Sequence, residues 1–125
     1  MAYYYSLRGW LEVEPENFDS LIKVIKSWQA EYPKDTKTGL YLQGWCWQDS
    51  PINWTRYLFY GADVTEEGLK LFEDTLNKLK IMKLNLSGYF HAQGEDREKN
   101  FIYYLDEDNL KRKVGSDLVT VSSLK

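Results

Sequence analysis

The first part of the chain alternates between hydrophobic and polar positions. Residues 3–13 follow period 2, with Leu7 and Leu11 on one face and Trp10 on the other. This period, together with residues that favour β-structure, predicts a strand. Gly9 in its middle predicts either a bulge or a group packed close to the backbone.

Two later segments show the periodicity of amphipathic helices. The first begins near Pro15, which suits the first helical turn, and ends at Pro33. Its apolar stripe is Phe18, Leu21, Ile22, Ile25 and Trp28. The second begins at a cap formed by Asp63 or Thr65. Its apolar stripe is Leu69, Phe72, Leu76 and Leu79, and each stripe predicts one buried face.

Shorter β-like segments fill the rest of the chain. The predicted strands are Leu40–Gln48, Trp54–Gly61, Leu84–Gln93, Phe101–Leu105 and Leu110–Val114. The first two are expected to form a hairpin across Asp49-Ser50-Pro51, because these residues favour a chain reversal. Residues 34–39 are expected to form a loop, and Leu118–Ser122 is compatible with a last short strand.

The order of these elements predicts an α+β fold. Strand, helix, strand, strand, helix, strand is the order of a ferredoxin-like β-α-β-β-α-β core, with an antiparallel sheet and two helices on one face. Two or three extra C-terminal strands would extend or cap that sheet. A length of 125 residues fits a single domain spanning 1–125, which can bury a core without a disulfide or a metal.

The alternation of side chains along a strand divides the residues of the tryptophan-rich segment GWCWQDSPINW between two faces of the predicted sheet. Cys46 shares its parity with Leu40 and Leu42 and is predicted to face the helices. Trp45 and Trp47 have the opposite parity and are predicted to point away from them. The face predicted to lie away from the helices contains Tyr4, Arg8, Trp10, Tyr41, Gln43, Trp45, Trp47, Tyr89 and His91.

A face of mixed aromatic and polar residues suits a half-hydrated binding surface better than a dry core. The alternative is that the trailing strands or residues 94–100 fold over it. Aromatic residues make up 16% of the chain, with five Trp, ten Tyr and five Phe. Tyr and Trp are the residues that most often anchor interfaces.

Charge and composition narrow the class of partner and the location. The net charge of −3 and a pI near 5.2 argue against direct binding of nucleic acid, which usually shows a basic excess. The chain also lacks the RNP-like string of RNA-recognition domains. With neither a leader pattern nor a long apolar run, we expect a cytoplasmic protein that does not bind membranes.

The sequence offers little for catalysis or for cofactor binding. Cys46 and His91 are each the only residue of their type and have opposite predicted orientations, so they form no nucleophile–base pair. Asp106–Asn109 lacks the glycine and the terminal glutamate of an EF-hand loop and is interpreted as a solvated turn. We therefore expect a protein that is not an enzyme and that binds no metal or cofactor.

Three stretches resemble a family. YYYSLRGWLEVE before the first helix, GWCWQDSPINWTRYLFYGADV before the second, and LSGYF at Leu86–Phe90 resemble bacterial immunity proteins of polymorphic-toxin systems, including contact-dependent growth inhibition. The resemblance covers about the first ninety residues and lies in layout and in the Trp/Tyr–Gly pattern. It implies a non-enzymatic inhibitor that binds and neutralises a cognate toxin domain, often a nuclease.

The candidate partner-binding residues come from the aromatic face and the acidic segments. The expected anchors are Trp10, Trp45, Trp47, Trp54 and Arg56. The expected charges at the rim are Asp49, Asp63, Glu66, Glu67, Glu95 and Asp96. Against a basic nuclease, an acidic inhibitor would gain association rate from complementary charge. Two alternatives stay open, namely a module that binds a small molecule or peptide on the same face, and a homodimer built on it.

Overall fold

A computed structural model describes residues 2–115. The elements in chain order are β1 (Tyr4–Val13), α1 (Pro15–Glu31), α2 (Lys37–Leu42), β2 (Trp45–Trp47), β3 (Arg56–Thr65), α3 (Glu66–Ile81), β4 (Ser87–Gly94), β5 (Asn100–Asp106) and β6 (Asn109–Val114). The strand considered at Leu118–Ser122 lies outside the described residues. No helix within residues 2–115 is both long enough and apolar enough to cross a membrane.

The six strands form one antiparallel sheet in the order β2-β3-β1-β4-β5-β6, so the predicted α+β class and antiparallel sheet are confirmed. The pairing of β1 with β3 and with β4 continues through Gly9 without a bulge. A Cβ atom at Gly9 would lie 2.0 Å from the backbone oxygen of Tyr89. Of the two predicted explanations for Gly9, the close approach of another backbone is correct.

The hydrophobic core lies on one face of the sheet. On β1, Tyr5, Leu7, Leu11 and Val13 are buried, as their alternation predicts. The helical members of the same cluster are Phe18, Leu21, Ile22, Ile25, Leu69, Phe72, Leu76 and Leu79. These are the predicted stripes, apart from Trp28, which is only partly buried. Burial of each large aliphatic or phenyl side chain contributes about 1.5–3 kcal/mol to folding.

Local chemistry explains where α1 begins and ends and where α3 begins. Pro15 occupies the first turn of α1, which ends two residues before Pro33. The side chain of Thr65 caps α3 and accepts a hydrogen bond from the Gly68 amide at 3.2 Å. The cap is therefore Thr65 rather than Asp63, since Asp63 lies within β3.

The segment before the hairpin differs from the prediction. The second half of the predicted loop at 34–39 and the first part of the predicted strand Leu40–Gln48 form the short helix α2. Thr36 caps this helix by accepting a hydrogen bond from the Gly39 amide at 3.1 Å. A Cβ at Gly39 would lie 1.9 Å from the oxygen of Pro33, so glycine lets α2 pack against the end of the preceding turn.

The orientation predicted for the tryptophan-rich segment is wrong. β2 pairs with β3 so that Trp45 lies opposite Tyr60 and Cys46 lies opposite Phe59. Tyr60 faces the core, and Trp45 does too, with only 3% of its surface exposed. Trp47 is partly buried against the same cluster, whereas Cys46 is exposed. The prediction extended the strand alternation of Leu40 and Leu42 to Cys46. This extension fails because both leucines belong to a helix, where side chains do not alternate between two faces.

Candidate functional site

The face of the sheet opposite the core, called the outer face below, carries aromatic side chains in a line across the strands. From β2 to β6, the paired residues in this line are Cys46, Phe59, Trp10, Tyr89, Tyr104 and Lys111. We call Phe59, Trp10, Tyr89 and Tyr104 the aromatic row.

Within the aromatic row, the Tyr89 ring contacts those of Trp10 and Tyr104, and all four rings remain at least partly accessible. The ring centroids of Trp10 and Tyr89 are 5.6 Å apart, and those of Tyr89 and Tyr104 are 5.3 Å apart. These separations are typical of attractive aromatic pairs. Trp10 is 39% exposed and Phe59 is 37% exposed. The row therefore combines fixed ring positions with an apolar surface that water still reaches.

A second line of paired residues lies beside the aromatic row and is more polar. It consists of Gly61, Arg8, His91, Ile102 and Lys113. Arg8 Nη2 donates a hydrogen bond to Gln93 Oε1 at 2.9 Å, which restrains the guanidinium. His91 is 1% exposed, with its Nε2 2.9 Å from Asn100 Oδ1. A buried hydrogen-bonded pair of this kind keeps the outer face rigid beside the aromatic row.

Gly61 leaves an open position in this surface. It is exposed, and a Cβ added there would have no heavy atom within 4 Å. Its neighbours on the same face of β3 are Phe59 and Asp63, and Arg8 lies opposite it on β1. Among residues 2–115, the outer face thus leaves room for a Cβ atom at Gly61, next to a cation and an aromatic ring.

Of the five predicted anchors, Trp10 lies on the outer face with the predicted orientation. Trp45 instead packs in the core, with its ring stacked on that of Phe72 at a centroid distance of 5.6 Å. Trp47 also belongs to the core side, and Lys26 Nζ lies 5.8 Å from its ring centroid. These two tryptophans therefore contribute to packing rather than to the outer face.

The other two predicted anchors lie at the start of β3. Trp54 precedes the strand, which begins at Arg56 rather than at the predicted Trp54, and it is 77% exposed. The Arg56 guanidinium lies 3.7 Å from the ring centroid of Phe18 in α1. Arg56 Nη2 also donates to the backbone oxygen of Gln48 at 3.0 Å. Arg56 thus closes the edge of the core instead of joining the outer face.

Most of the predicted rim carboxylates gather at one end of the sheet, where β1 begins, β3 ends and β4 turns into β5. This acidic end consists of Asp63, Glu66, Glu67, Glu95 and Asp96. Asp63 and Glu95 line the same depression. Asp49 lies apart from the acidic end, in the exposed segment between β2 and β3.

Several carboxylates of the acidic end are engaged within the protein. Glu67 forms an ion pair with Lys37 at 2.6 Å, and Glu66 accepts a hydrogen bond from the Tyr5 hydroxyl at 3.4 Å. The Tyr3 hydroxyl donates to Asp96, and this hydrogen bond is the main cause of the lowered pKa of Asp96. These contacts therefore give the carboxylates of Glu66, Glu67 and Asp96 a defined geometry.

Sequence reasoning missed Phe59 and Tyr104 as members of the outer face. Both alternating sets of side chains on β3 are apolar, so alternation alone does not show which set faces the core. The signal that identifies Phe59 is its pairing with Trp10, and Tyr104 is identified in the same way by Tyr89. Such pairings depend on strand register, which is a tertiary property.

Within residues 2–115, Cys46 and His91 do not form a nucleophile–base pair. Cys46 and His91 both lie on the outer face, contrary to their predicted opposite orientations, but β3 and β1 separate their strands. Three strand spacings amount to about 14 Å, too far for proton transfer between the two side chains. Among residues 2–115, no cluster of three or more His, Cys, Asp or Glu side chains could hold a metal ion.

Comparison with known proteins gives no match: no protein-family model, curated protein or solved structure is significantly similar to this chain. The chemistry of the outer face is therefore the guide to function. It presents fixed aromatic rings, a restrained arginine and an acidic end, a combination suited to binding a macromolecule.

Proposed function

We propose that this chain is a cytosolic, non-enzymatic immunity protein that binds and neutralises a cognate bacterial toxin domain through its outer face. The observation that carries the proposal is the aromatic row, in which Trp10 and Phe59 remain exposed on a rigid sheet. The resemblance to bacterial immunity proteins favours a toxin domain as the partner.

The aromatic row provides the kind of residues that anchor protein interfaces. Tyrosine and tryptophan bury a large area at a low cost in side-chain entropy, and truncation of one such anchor typically weakens binding by 2 kcal/mol or more. Because the rings of Trp10, Tyr89 and Tyr104 already contact one another, a partner would bind a surface that is largely preorganised.

The charges around the row favour a partner with a basic patch. The acidic end lies next to the outer face, and the whole chain carries a net charge of −3. Complementary charge raises the rate of association and adds less to the final affinity. A toxin domain that acts on nucleic acid, whose binding surface is basic, fits this requirement.

We also propose that the first four strands and the two long helices form a ferredoxin-like core. The order β2-β3-β1-β4 supports this arrangement, as do the buried stripes of α1 and α3 in one cluster with β1. In that case β5 and β6 are an addition that widens the sheet beside β4. Tyr104, Lys111 and Lys113 of the outer face all come from this addition.

The test is co-expression with the toxin domain encoded by the neighbouring gene, followed by measurement of cell survival and of affinity. We expect protection by the unaltered protein. Trp10→Ala should weaken binding by about 30-fold or more. Trp54→Ala is the matched control, since it removes a more exposed indole that precedes β3 and is not part of the aromatic row, and it should change affinity by less than about 5-fold.

Two results would contradict the proposal. One is failure of the unaltered protein to protect against the neighbouring toxin. The other is full binding by the Trp10→Ala variant. Sedimentation at micromolar concentration addresses the open alternative of a homodimer, because a dimer that dissociates when Trp10 is truncated would assign the aromatic row to self-association.

A further inference from the structure

A separate cavity lies on the helix side of the sheet, between α1, α2 and α3. Its volume is about 320 Å³, within the range of sites that hold small molecules. The floor consists of Trp45, Tyr60 and Phe72, whose ring centroids are 4.9–5.6 Å apart. The partly buried rings of Trp28 and Tyr41 also line it. We call it the helix-side cavity.

Tyr41 and Tyr60 offer this cavity their rings, because both of their hydroxyls have partners within the protein. The Tyr60 hydroxyl donates to the backbone oxygen of Tyr41 at 2.7 Å. The Tyr41 hydroxyl lies 3.3 Å from Thr65 Oγ1, at the start of α3. Ligand contacts with the floor are therefore mainly with aromatic surfaces, which attract apolar groups and cations alike.

The charged groups of the cavity both come from α3. Lys78 Nζ lies 5.6 Å from the ring centroid of Trp28, so the indole already attracts a cation. Asp74 lies one turn earlier and is exposed, and within residues 2–115 its carboxylate has no hydrogen bond or ion pair. The adjacent Glu73, in contrast, accepts a hydrogen bond from Tyr103 at 2.8 Å and lies 3.9 Å from Arg112.

We propose that the helix-side cavity binds a small organic cation with an aromatic body, of the arylalkylamine class. The ring of the ligand packs on the floor, and its ammonium group lies between Asp74 and the face of Trp28. Lys78 is exposed and has a flexible stem, so it moves into solvent when the ligand occupies the site. This site is independent of the outer face and of the proposed toxin binding.

The first test compares three probes that share a phenyl ring and differ in charge: phenethylamine, 2-phenylethanol and 3-phenylpropionate. Titration calorimetry measures their affinities, and the fluorescence of Trp28 and Trp45 reports on occupancy. We expect phenethylamine to bind with a Kd of about 1 mM or below. The alcohol should bind about 10-fold more weakly, and the carboxylate more weakly still.

Two charge variants test the assignment in opposite directions. Asp74→Asn should weaken phenethylamine binding by about 10-fold, whereas Lys78→Met should strengthen it by about 3-fold by removing a competing cation. Asp19→Asn is the matched control, since it removes an exposed carboxylate near the start of α1 and leaves the cavity unchanged. Circular dichroism spectra and the melting temperature establish that each variant is folded.

The following results would overturn the proposal. One is the absence of saturable binding of phenethylamine below about 10 mM. Another is equal binding of the amine and the alcohol with no effect of Asp74→Asn. A third is preferential binding of the carboxylate that Lys78→Met abolishes, which would assign the cavity to anions. Loss of toxin binding with intact amine binding would contradict only the proposed function.

Discussion

The two faces of the sheet use the same kind of residue for opposite purposes. On the core face, the Phe72 ring contacts the rings of Trp45, Tyr60, Phe90 and Tyr103. On the outer face, Trp10 contacts Tyr89 on one side and is open to water above. High aromatic content therefore divides into a packed cluster that stabilises the fold and a single exposed layer suited to binding. The difference predicts that mutations on the two faces separate stability from recognition.

The largest expected loss of stability comes from a substitution on the core face. Phe72→Ala removes the ring at the centre of the cluster and should lower the free energy of unfolding by about 3–5 kcal/mol. Urea denaturation monitored by circular dichroism measures the change. Trp10→Ala, the counterpart on the outer face, should lower it by less than about 1 kcal/mol. Comparable losses in the two variants would mean that the outer face is also part of the packed core.

A pair of glycines gives an intermediate test of the same comparison. Gly9→Ala places a methyl group against the backbone of β4 and should destabilise the protein by about 1–3 kcal/mol. Gly61→Ala meets open space and a backbone without positive φ, so it should leave stability unchanged or raise it by about 0.5–1 kcal/mol. Thermal and urea unfolding of both variants, measured side by side, test this expected difference in sign.

The smallest expected effect is on the pH dependence of stability, to which Asp96 at the acidic end contributes. Because the hydrogen bond from Tyr3 lowers the pKa of Asp96, the contribution of this carboxylate to stability is present above its unfolded pKa of 3.8. It is lost as pH falls further, through the folded pKa. Asp96→Asn should therefore flatten the stability curve slightly below about pH 4 and leave neutral stability almost unchanged.

Unfolding curves at pH 2–5 for the Asp96→Asn variant and the unaltered protein measure this difference. Asp49→Asn is the control, because it removes an exposed carboxylate from outside the acidic end. An identical acid response of Asp96→Asn and the unaltered protein would contradict the role of the Tyr3 hydrogen bond. Since the pair is exposed, the effect measured at neutral pH should stay small.

The parts of the fold that sequence could predict are those governed by local periodicity. β1, α1 and α3 have long, regular patterns, and their buried residues follow from those patterns. The short helix α2 depends on the Thr36 cap and on the space that Gly39 leaves against Pro33, and neither changes the periodicity. Its presence reversed the orientation inferred for Trp45 and Cys46, because alternation has no meaning across a helix.

The candidate site was predicted only where one strand determined its orientation. The orientation of Trp10 follows from the sequence because β1 has a single apolar face. Phe59 could not be assigned, since both faces of β3 carry large apolar residues, and only its pairing with Trp10 resolves the choice. The acidic end, in contrast, brings together carboxylates from two separate segments, 63–67 and 95–96, and the proximity of the two segments follows from the sheet order rather than from the sequence.

The open position at Gly61 has a consequence for how recognition could change over time. Most positions in a binding face also support the fold, so a change of partner usually carries a penalty in stability. At Gly61 an added Cβ atom would meet no atom of residues 2–115 within 4 Å, and the backbone has no positive φ that would require glycine. If the outer face binds a partner as proposed, one substitution at Gly61 alters which partner fits beside Arg8 while the protein remains folded, which makes divergence of specificity accessible in a single mutational step.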